Sequence, residues 1–142
     1  MMISTRGRYV LRVLADLAEH SNGEFIPMKD IAERQELSLK YIEKIMPVLT
    51  KAKMVDGLHG KGGGYRLNRA PEEYKIGDIL RLTEGTLAPV QCLEDGHNTC
   101  ERAARCRTLA MWEKFNKLTN DFFDSVTLAD LTAPQAGNDY VI

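Results

Sequence analysis

The stretch that decides the fold is 37–67, which reads LSLKYIEKIMPVLTKAKMVDGLHGKGGGYRL. Ser38 is a preferred helix-capping residue, and the apolar residues after it recur at helical spacing, which predicts a helix with one buried face. These apolar residues are Ile42, Ile45, Met46 and Leu49. Pro47 removes one backbone hydrogen bond and should kink this helix, but the apolar spacing continues past it to Ala52.

Two short extended segments follow the helix and surround a run rich in glycine. Residues 54–59 and 65–67 favour strands, and the run between them is Gly60-Lys61-Gly62-Gly63-Gly64. Glycine permits the tight turn that joins two paired strands, so this segment predicts a β-hairpin. The run lacks the Gly-Lys-Ser/Thr ending of a phosphate-binding loop, and a hairpin tip is therefore the better interpretation.

The residues before this stretch predict two further helices. Ser4 or Thr5 caps the first, whose apolar residues recur at helical spacing. They are Tyr9, Val10, Val13, Leu14 and Leu17. Residues 25–27 favour an extended piece, and 28–34 a short helix. The order of helix, helix, turn, helix and hairpin is that of a winged helix-turn-helix domain over residues 1–70.

The rest of the chain predicts a connecting region, a long helix and a tail. Residues 71–107 hold a short helix and a loop without periodicity, 108–131 a helix of about 18 residues, and 132–142 a frayed tail. Along the long helix, large apolar residues recur every three or four positions. They are Leu109, Trp112, Phe115, Leu118, Phe122 and Val126. This stripe favours a dimer contact, made by Trp112, Phe115, Leu118 and Phe122, over packing on the chain's own first helix.

Composition and charge exclude several classes of protein. The 142 residues have a net charge of −1, but residues 1–70 carry +4 and residues 71–142 carry −5, which suggests that the first half faces a polyanion. No apolar run is long enough for a membrane span or a signal peptide. Three cysteines are an odd number, which argues against a disulfide framework. No paired catalytic carboxylates or nucleophile–base motif appears, so we expect no enzyme and no catalytic residues.

The exposed face of the third helix is a candidate for reading DNA. It begins with Ser38 and Leu39 and continues with polar residues off the apolar stripe, namely Lys40, Tyr41, Glu43, Lys44 and Lys51. A helix that enters the major groove needs cations for phosphates and side chains that reach base edges. Lysine can donate to guanine, and glutamate can accept from cytosine. The alternative is an ordinary solvated helix face.

The hairpin tip is the second candidate. Its glycines would let the backbone approach DNA, and His59, Gly60 and Lys61 would meet phosphates or a minor groove. A tip of this composition could equally be a mobile loop. Its position some 20 residues beyond the start of the third helix favours the winged interpretation.

The third candidate is the cysteine segment. Cys92, Cys100 and Cys106 fall within 15 residues, and His97 lies between the first two. Thiolates are ligands of both iron–sulfur clusters and structural zinc, so either metal centre is a hypothesis for this segment. A disulfide switch and three unrelated cysteines are the alternatives.

The ordered set of these segments is similar to the Rrf-two family of bacterial winged-helix regulators. The resemblance spans residues 2–131 and is carried by 4–12, 37–45, 60–67, 71–73, 77–79 and the cysteine segment. It implies a mainly α winged helix-turn-helix with a small β-hairpin wing and a long C-terminal dimerisation helix. It further implies a cytoplasmic homodimer that controls transcription by binding double-stranded DNA at a pseudo-palindromic operator.

The resemblance also assigns residues. Ser38, Tyr41, Glu43 and Lys44 match the recognition-helix positions, Arg8 matches a basic N-terminal segment, and His59 and Lys61 match the wing. The three cysteines match the ligands of an iron–sulfur cluster, [2Fe-2S] or [4Fe-4S], with zinc or a thiol switch as alternatives. One family member is instead governed by docking of a metabolic enzyme, which is a further alternative for this chain.

The sequence departs from the family pattern at several positions. His59 stands where the wing often has arginine, and Lys53 replaces the glycine that usually follows the third helix, at a cost of about 1 kcal/mol if that site is left-handed. Leu109 and Arg8 occupy the positions of two known fourth ligands. The local candidates for a fourth ligand are His97, Glu94, Asp95 and Glu101.

Overall fold

The computed structural model describes residues 2–96, 98 and 100–134, and these form two compact units. The helix-turn-helix unit comprises Arg12–Tyr74 together with the described residues of 127–134. The second unit comprises the described residues of 75–126 and 2–11, and it is called the α4–α5 unit after its helices α4 (Ile76–Glu84) and α5 (Leu109–Ser125). The expected tail falls largely on 135–142, which lie outside the described residues. No helix in the described part of the chain is long and apolar enough to cross a membrane.

The first elements appear in the order that the sequence predicts. They are α1 (Thr5–Glu19), α2 (Met28–Gln35), α3 (Leu39–Lys51), β1 (Val55–Leu58) and β2 (Gly64–Leu67). Ser38 caps α3, because its Oγ accepts a hydrogen bond from the Tyr41 backbone N–H at 3.1 Å. The four apolar residues of the α3 stripe are all buried, and the helix continues through the exposed Pro47. The mainly helical, winged helix-turn-helix fold is confirmed.

The wing is an antiparallel pair in which Val55 is opposite Leu67 and Leu58 is opposite Gly64. A third extended piece joins it, since Ile26 and Tyr65 exchange two backbone hydrogen bonds of 2.8 Å. Gly64 allows this close approach, because a Cβ there would collide with the Ile26 carbonyl oxygen. The extended piece is thus held beside the two-stranded sheet of the wing by a single β-bridge.

Lys53 has a left-handed backbone, with φ of 60°. The site is therefore left-handed, which is the condition under which replacing glycine was expected to cost about 1 kcal/mol, since a Cβ disfavours this conformation. The Lys53 carbonyl accepts hydrogen bonds from Asn68 Nδ2 at 2.8 Å and Arg69 Nη2 at 2.6 Å. These two side chains hold the turn between α3 and the wing in place.

The α4–α5 unit is built on α4 (Ile76–Glu84) and α5 (Leu109–Ser125), which pack against each other. Between them lie short 3-10 turns at Gln91–Leu93 and Ala103–Arg105. A short helix, α6 (Leu128–Thr132), follows α5 and begins at a capping box made by Thr127 and Asp130. Its backbone belongs to the helix-turn-helix unit, where the Leu128 N–H donates to the Tyr74 carbonyl at 2.9 Å.

Polar side chains of α5 face α4. Thr119 is buried, and Arg81 of α4 donates to Asn120 Oδ1 at 2.9 Å and to Asp124 Oδ2 at 2.8 Å. Gly77 lets the first turn of α4 approach α5 closely, because a Cβ there would collide with Asp124 Oδ1. The polar contacts with α4 thus leave Phe115, Leu118 and Phe122 of the apolar stripe exposed.

Candidate nucleic-acid interface and cysteine segment

The outer face of α3 carries most of the residues that the sequence suggested for reading DNA. Ser38, Leu39, Lys40, Glu43 and Lys44 are exposed, and Tyr41 is half-buried. The Ser38 oxygen accepts from the backbone, which leaves its hydroxyl hydrogen available for a phosphate oxygen. The start of α3 thus presents cations and hydrogen-bonding groups on a helix whose other face is fixed in the core.

The wing tip is an exposed, tight turn. The Gly63 N–H donates to the Gly60 carbonyl at 3.0 Å, and Gly60 has a left-handed φ of 90° that favours glycine. His59, Gly60 and Lys61 are all exposed. A cleft of about 310 Å³ lies between this tip, the start of α2 and the start of α3. The structure therefore brings the suggested wing residues and the start of the suggested reading helix to one side of the helix-turn-helix unit.

Arg8 belongs to the other compact unit. It is exposed on α1, and its guanidinium donates to Thr5 Oγ1 at 3.0 Å. An exposed arginine near the start of a helix can contact a phosphate.

An ion pair with a buried carboxylate, which the sequence pattern did not single out, fixes α2 against α1. Arg34 donates to both carboxylate oxygens of Asp16, at 2.9 and 2.7 Å, and Gln35 Nε2 adds a third hydrogen bond at 3.0 Å. Burial raises the pKa of Asp16, but the hydrogen bonds from Arg34 and Gln35 outweigh it and hold that pKa below the ordinary value. The sequence did contain one signal for this ion pair, namely that Asp16 lies among the apolar positions of α1.

The three cysteines lie on the loop between α4 and α5. Cys92 is half-buried, and Cys100 and Cys106 are exposed free thiols. A hydrogen bond with Thr108, whose Oγ1 lies 3.5 Å from Sγ, lowers the pKa of the Cys106 thiol. Within the described residues no three of the Cys, His, Asp and Glu side chains form a group that could hold a metal ion. His97 lies outside those residues.

Most of the suggested dimer residues are exposed. Phe115, Leu118 and Phe122 are 42%, 60% and 37% exposed, and Trp112 is half-buried. The structure adds Met111, which is 54% exposed and which continues the same stripe at a spacing of four residues. The apolar stripe runs along α5 on the side away from its polar contacts with α4.

A unit of three helices, whose third helix exposes lysines beside an exposed glycine-rich hairpin tip, defines a winged helix-turn-helix DNA-binding protein. Residues 3–134 match the model of the Rrf2 family, described as an iron-dependent transcriptional regulator, and the chain belongs to this family. It is 39% identical over 131 residues to the protein rrf2 of Nitratidesulfovibrio vulgaris, which covers 92% of this chain and 87% of that one. It is 33% identical to the regulator IscR of Vibrio campbellii over 92% of this chain and 77% of that one.

Solved structures show the same fold. The global cysteine regulator CymR of B. subtilis has a TM-score of 0.77 and 34% identity, with 94% of this chain and 97% of that chain covered. T. potens IscR has a TM-score of 0.72 and 34% identity, with 99% and 96% covered. The chain is accordingly a DNA-binding transcriptional regulator and not an enzyme.

Proposed function

We propose that the chain is a homodimeric, sequence-specific regulator that reads its operator with the first turns of α3. The observation that carries this proposal is the division of α3, since Lys40, Glu43 and Lys44 are exposed while its apolar face is buried. A recognition helix needs this division, because one face must be held rigidly while the other meets base edges. As a regulator of this kind acts on the chromosome, its proposed location is the bacterial cytoplasm.

The proposed contacts divide into positioning and reading. Ser38, Lys40 and Arg8 position the protein on phosphates, and Tyr41, Glu43 and Lys44 face the groove, where lysine donates to guanine and glutamate accepts from cytosine. His59, Gly60 and Lys61 of the wing lie against the neighbouring backbone or minor groove.

Binding measurements on an operator library test this division. Lys44→Ala should cost about 1–3 kcal/mol on the preferred operator and less elsewhere, and Lys61→Ala should weaken all binding and reduce the salt slope by about one unit. Glu43→Ala should broaden base preference. Lys51→Ala, which removes the same charge at the far end of α3, is the matched control and should leave preference unchanged. Uniformly tighter binding by Glu43→Ala with unchanged preference would contradict a reading role.

The dimer is proposed from the exposed stripe Met111, Phe115, Leu118 and Phe122. An apolar surface of this kind is costly in water and is covered when two α5 helices pack together. Sedimentation should give about 32 kDa, twice the 16.0 kDa chain. Phe115→Glu should yield a monomer, while Lys114→Glu, which adds a carboxylate at the exposed neighbouring position, should remain a dimer. A monomeric native chain at micromolar concentration would exclude this interface.

We further propose that the cysteine segment senses redox, nitric oxide or iron–sulfur status. The chemistry of the donors supports this, because Cys92, Cys100 and Cys106 are free thiols on one loop and thiolates bind iron–sulfur clusters. A bound [2Fe-2S] or [4Fe-4S] cluster would supply reversible redox chemistry. The three cysteines would be ligands, and His97, Glu94, Asp95 and Glu101 are the candidates for the fourth. Because the described residues hold no preformed group of three ligands, the loop would have to close when the cluster assembles.

Anaerobic purification with iron, sulfide and zinc analysis tests this proposal. Iron and sulfide should be present in the native protein and lost in Cys92→Ala, Cys100→Ala and Cys106→Ala, and His97→Ala reports whether His97 is the fourth ligand. Undiminished iron and sulfide in all three cysteine variants would refute the assignment. Zinc without colour would favour the structural-metal alternative. A metal-free protein would leave docking of a metabolic enzyme open.

A thiol switch is the second candidate, and the lowered pKa of Cys106 favours it. A thiolate reacts with oxidants faster than a thiol does. Thr108→Val, which removes the hydrogen bond to Sγ, should raise the pH at which Cys106 becomes alkylated, while alkylation of Cys100 stays unchanged.

A further inference from the structure

Two large apolar side chains are exposed in the described part of the helix-turn-helix unit. Leu39 is 43% exposed and Leu58 is 48% exposed, and the other exposed large hydrophobic residues belong to the α4–α5 unit. Leu39 is the first residue of α3, and Leu58 is the last residue of β1. Since the other large apolar residues in the described part of this unit are buried or half-buried, the exposure of these two leucines needs a physical reason.

Both leucines line the same cleft, although 18 residues separate them in the chain. The cleft, of about 310 Å³, is also bounded by Lys29, Tyr65 and the backbone of the wing glycines. Among the described residues no aspartate or glutamate lines it, whereas Lys29 does. Lys40 and Lys61 are exposed on the two elements that form its walls. The cleft thus combines the apolar surface of the two leucines with nearby lysines that attract anions.

Charge and placement together indicate DNA as the occupant. A duplex offers a negative backbone, and thymine C5-methyl is an apolar group that bases present in the major groove. Residue 39 directly follows the N-cap of α3, so its side chain is at the end of the helix that would enter this groove first. The glycine-rich wall leaves room for a sugar–phosphate strand to pass beside the wing.

We propose that Leu39 is a specificity-determining residue that packs against a thymine methyl group in each half-site, while Leu58 covers the deoxyribose of the adjoining strand. This inference rests on the proposed DNA-reading function of α3, and it adds an apolar contact with a base to the polar contacts proposed above. Leu39 selects thymine by burying its methyl group, and Leu58 contributes affinity without base preference because every nucleotide has the same sugar.

The experiment removes the methyl group alone. The full chain is first used to select preferred duplexes from a random pool, and each thymine of the selected operator is then replaced by deoxyuridine. At one thymine position in each half-site, this replacement should lower the affinity of the native protein about fourfold, which corresponds to the loss of one buried methyl group. Leu39→Ala should bind the thymine and deoxyuridine operators equally well.

Two variants separate packing from general damage. Leu58→Ala should bind all duplexes more weakly and keep the full dependence on the methyl group. Leu39→Met, which keeps an apolar side chain of similar volume, should keep part of that dependence. Both leucines are exposed, so all three variants should unfold at the temperature of the native protein.

The outcomes distinguish this inference from the function on which it rests. If an operator is selected but no thymine shows methyl dependence, or Leu39→Ala shows the same dependence as the native chain, the role of Leu39 is refuted and sequence-specific binding stands. If no sequence is enriched from the pool, the DNA-reading function and this inference are overturned together.

Discussion

α3 and α5 have similar apolar periodicity but opposite orientations within their units. In α3 the apolar stripe is buried, with Ile42 and Leu49 completely inaccessible, and polar residues are outside. In α5 the apolar residues Phe115, Leu118 and Phe122 are exposed, and Thr119 is the one buried residue of this helix among those described. Periodicity predicts that a helix is amphipathic, but the neighbouring helix decides which face it covers.

The reason for the difference lies in the neighbouring helices. α3 packs against α2 and the wing, which bring apolar residues such as Ile31 and Val55 into the core. α5 packs against α4, whose Arg81 offers hydrogen bonds to Asn120 and Asp124. Because these contacts with α4 are polar, the exposed apolar residues of α5 are available to pack against a second copy of the chain. This comparison supports the proposed dimer.

The largest expected effect on the free energy of unfolding comes from shortening one apolar side chain in the stripe of α3, compared with the same change in α5. Leu49→Ala should lower the free energy of unfolding by about 2–5 kcal/mol, because it leaves a cavity in a close-packed core. Leu118→Ala, at a 60% exposed position of α5, should cost less, and its effect should shrink as the protein is diluted below the dimer dissociation constant. Urea unfolding at several protein concentrations measures both, and a concentration-independent loss in Leu118→Ala would contradict a dimer contact.

Each unit also has one Arg–Asp pair that joins two helices, and these pairs differ in burial. Asp16 is fully buried and its partner Arg34 is 33% exposed, so Asp16→Asn should cost about 2 kcal/mol through the loss of charged hydrogen bonds. The pKa of Asp16 lies below its ordinary value of 3.8, so the stabilisation is present above pH 3.8 and is lost as pH falls through the folded-state pKa. Unfolding measured from pH 6 to pH 3 should show this loss in the native chain and a flatter profile in Asp16→Asn.

The second pair should contribute less. Asp124 is 37% exposed, so Asp124→Ala should cost only about 1 kcal/mol. Asp121→Ala is the control, since its partner Lys117 is exposed on the same helix and the change should be within about 0.5 kcal/mol. Equal losses of unfolding free energy in Asp124→Ala and Asp121→Ala would show that the polar face of α5 is not the face that packs against α4.

The smallest effect concerns backbone strain, which also differs between the units. The described residues with positive φ other than glycine are Glu36 and Lys53, both in the helix-turn-helix unit, whereas the α4–α5 unit uses Gly85 and Gly96. Lys53→Gly should raise the free energy of unfolding by about 1 kcal/mol, because glycine relieves the left-handed strain. Thermal unfolding measures this gain, with the exposed Lys51→Gly as a control that should destabilise α3.

Local chemistry made much of the fold predictable. Ser38 capped α3 as its residue type indicates, the glycine run formed the hairpin tip, and an extended residue stands within 25–27 as expected. These features depend on a few neighbouring residues, so the sequence contains their cause. The family resemblance likewise predicted the strain at Lys53 from a single substituted position.

The candidate site was predictable only in part, because its geometry depends on residues distant in the chain. The sequence by itself determined which helix exposes lysines, where the chain turns tightly, and that three thiols occupy one loop. Only the tertiary structure showed that Asp16 forms an ion pair with Arg34, that Leu39 and Leu58 line one cleft, and that polar side chains of α5 contact α4. The physical reason is that burial and pairing are set by what packs opposite a side chain, and periodicity within one helix does not contain that information.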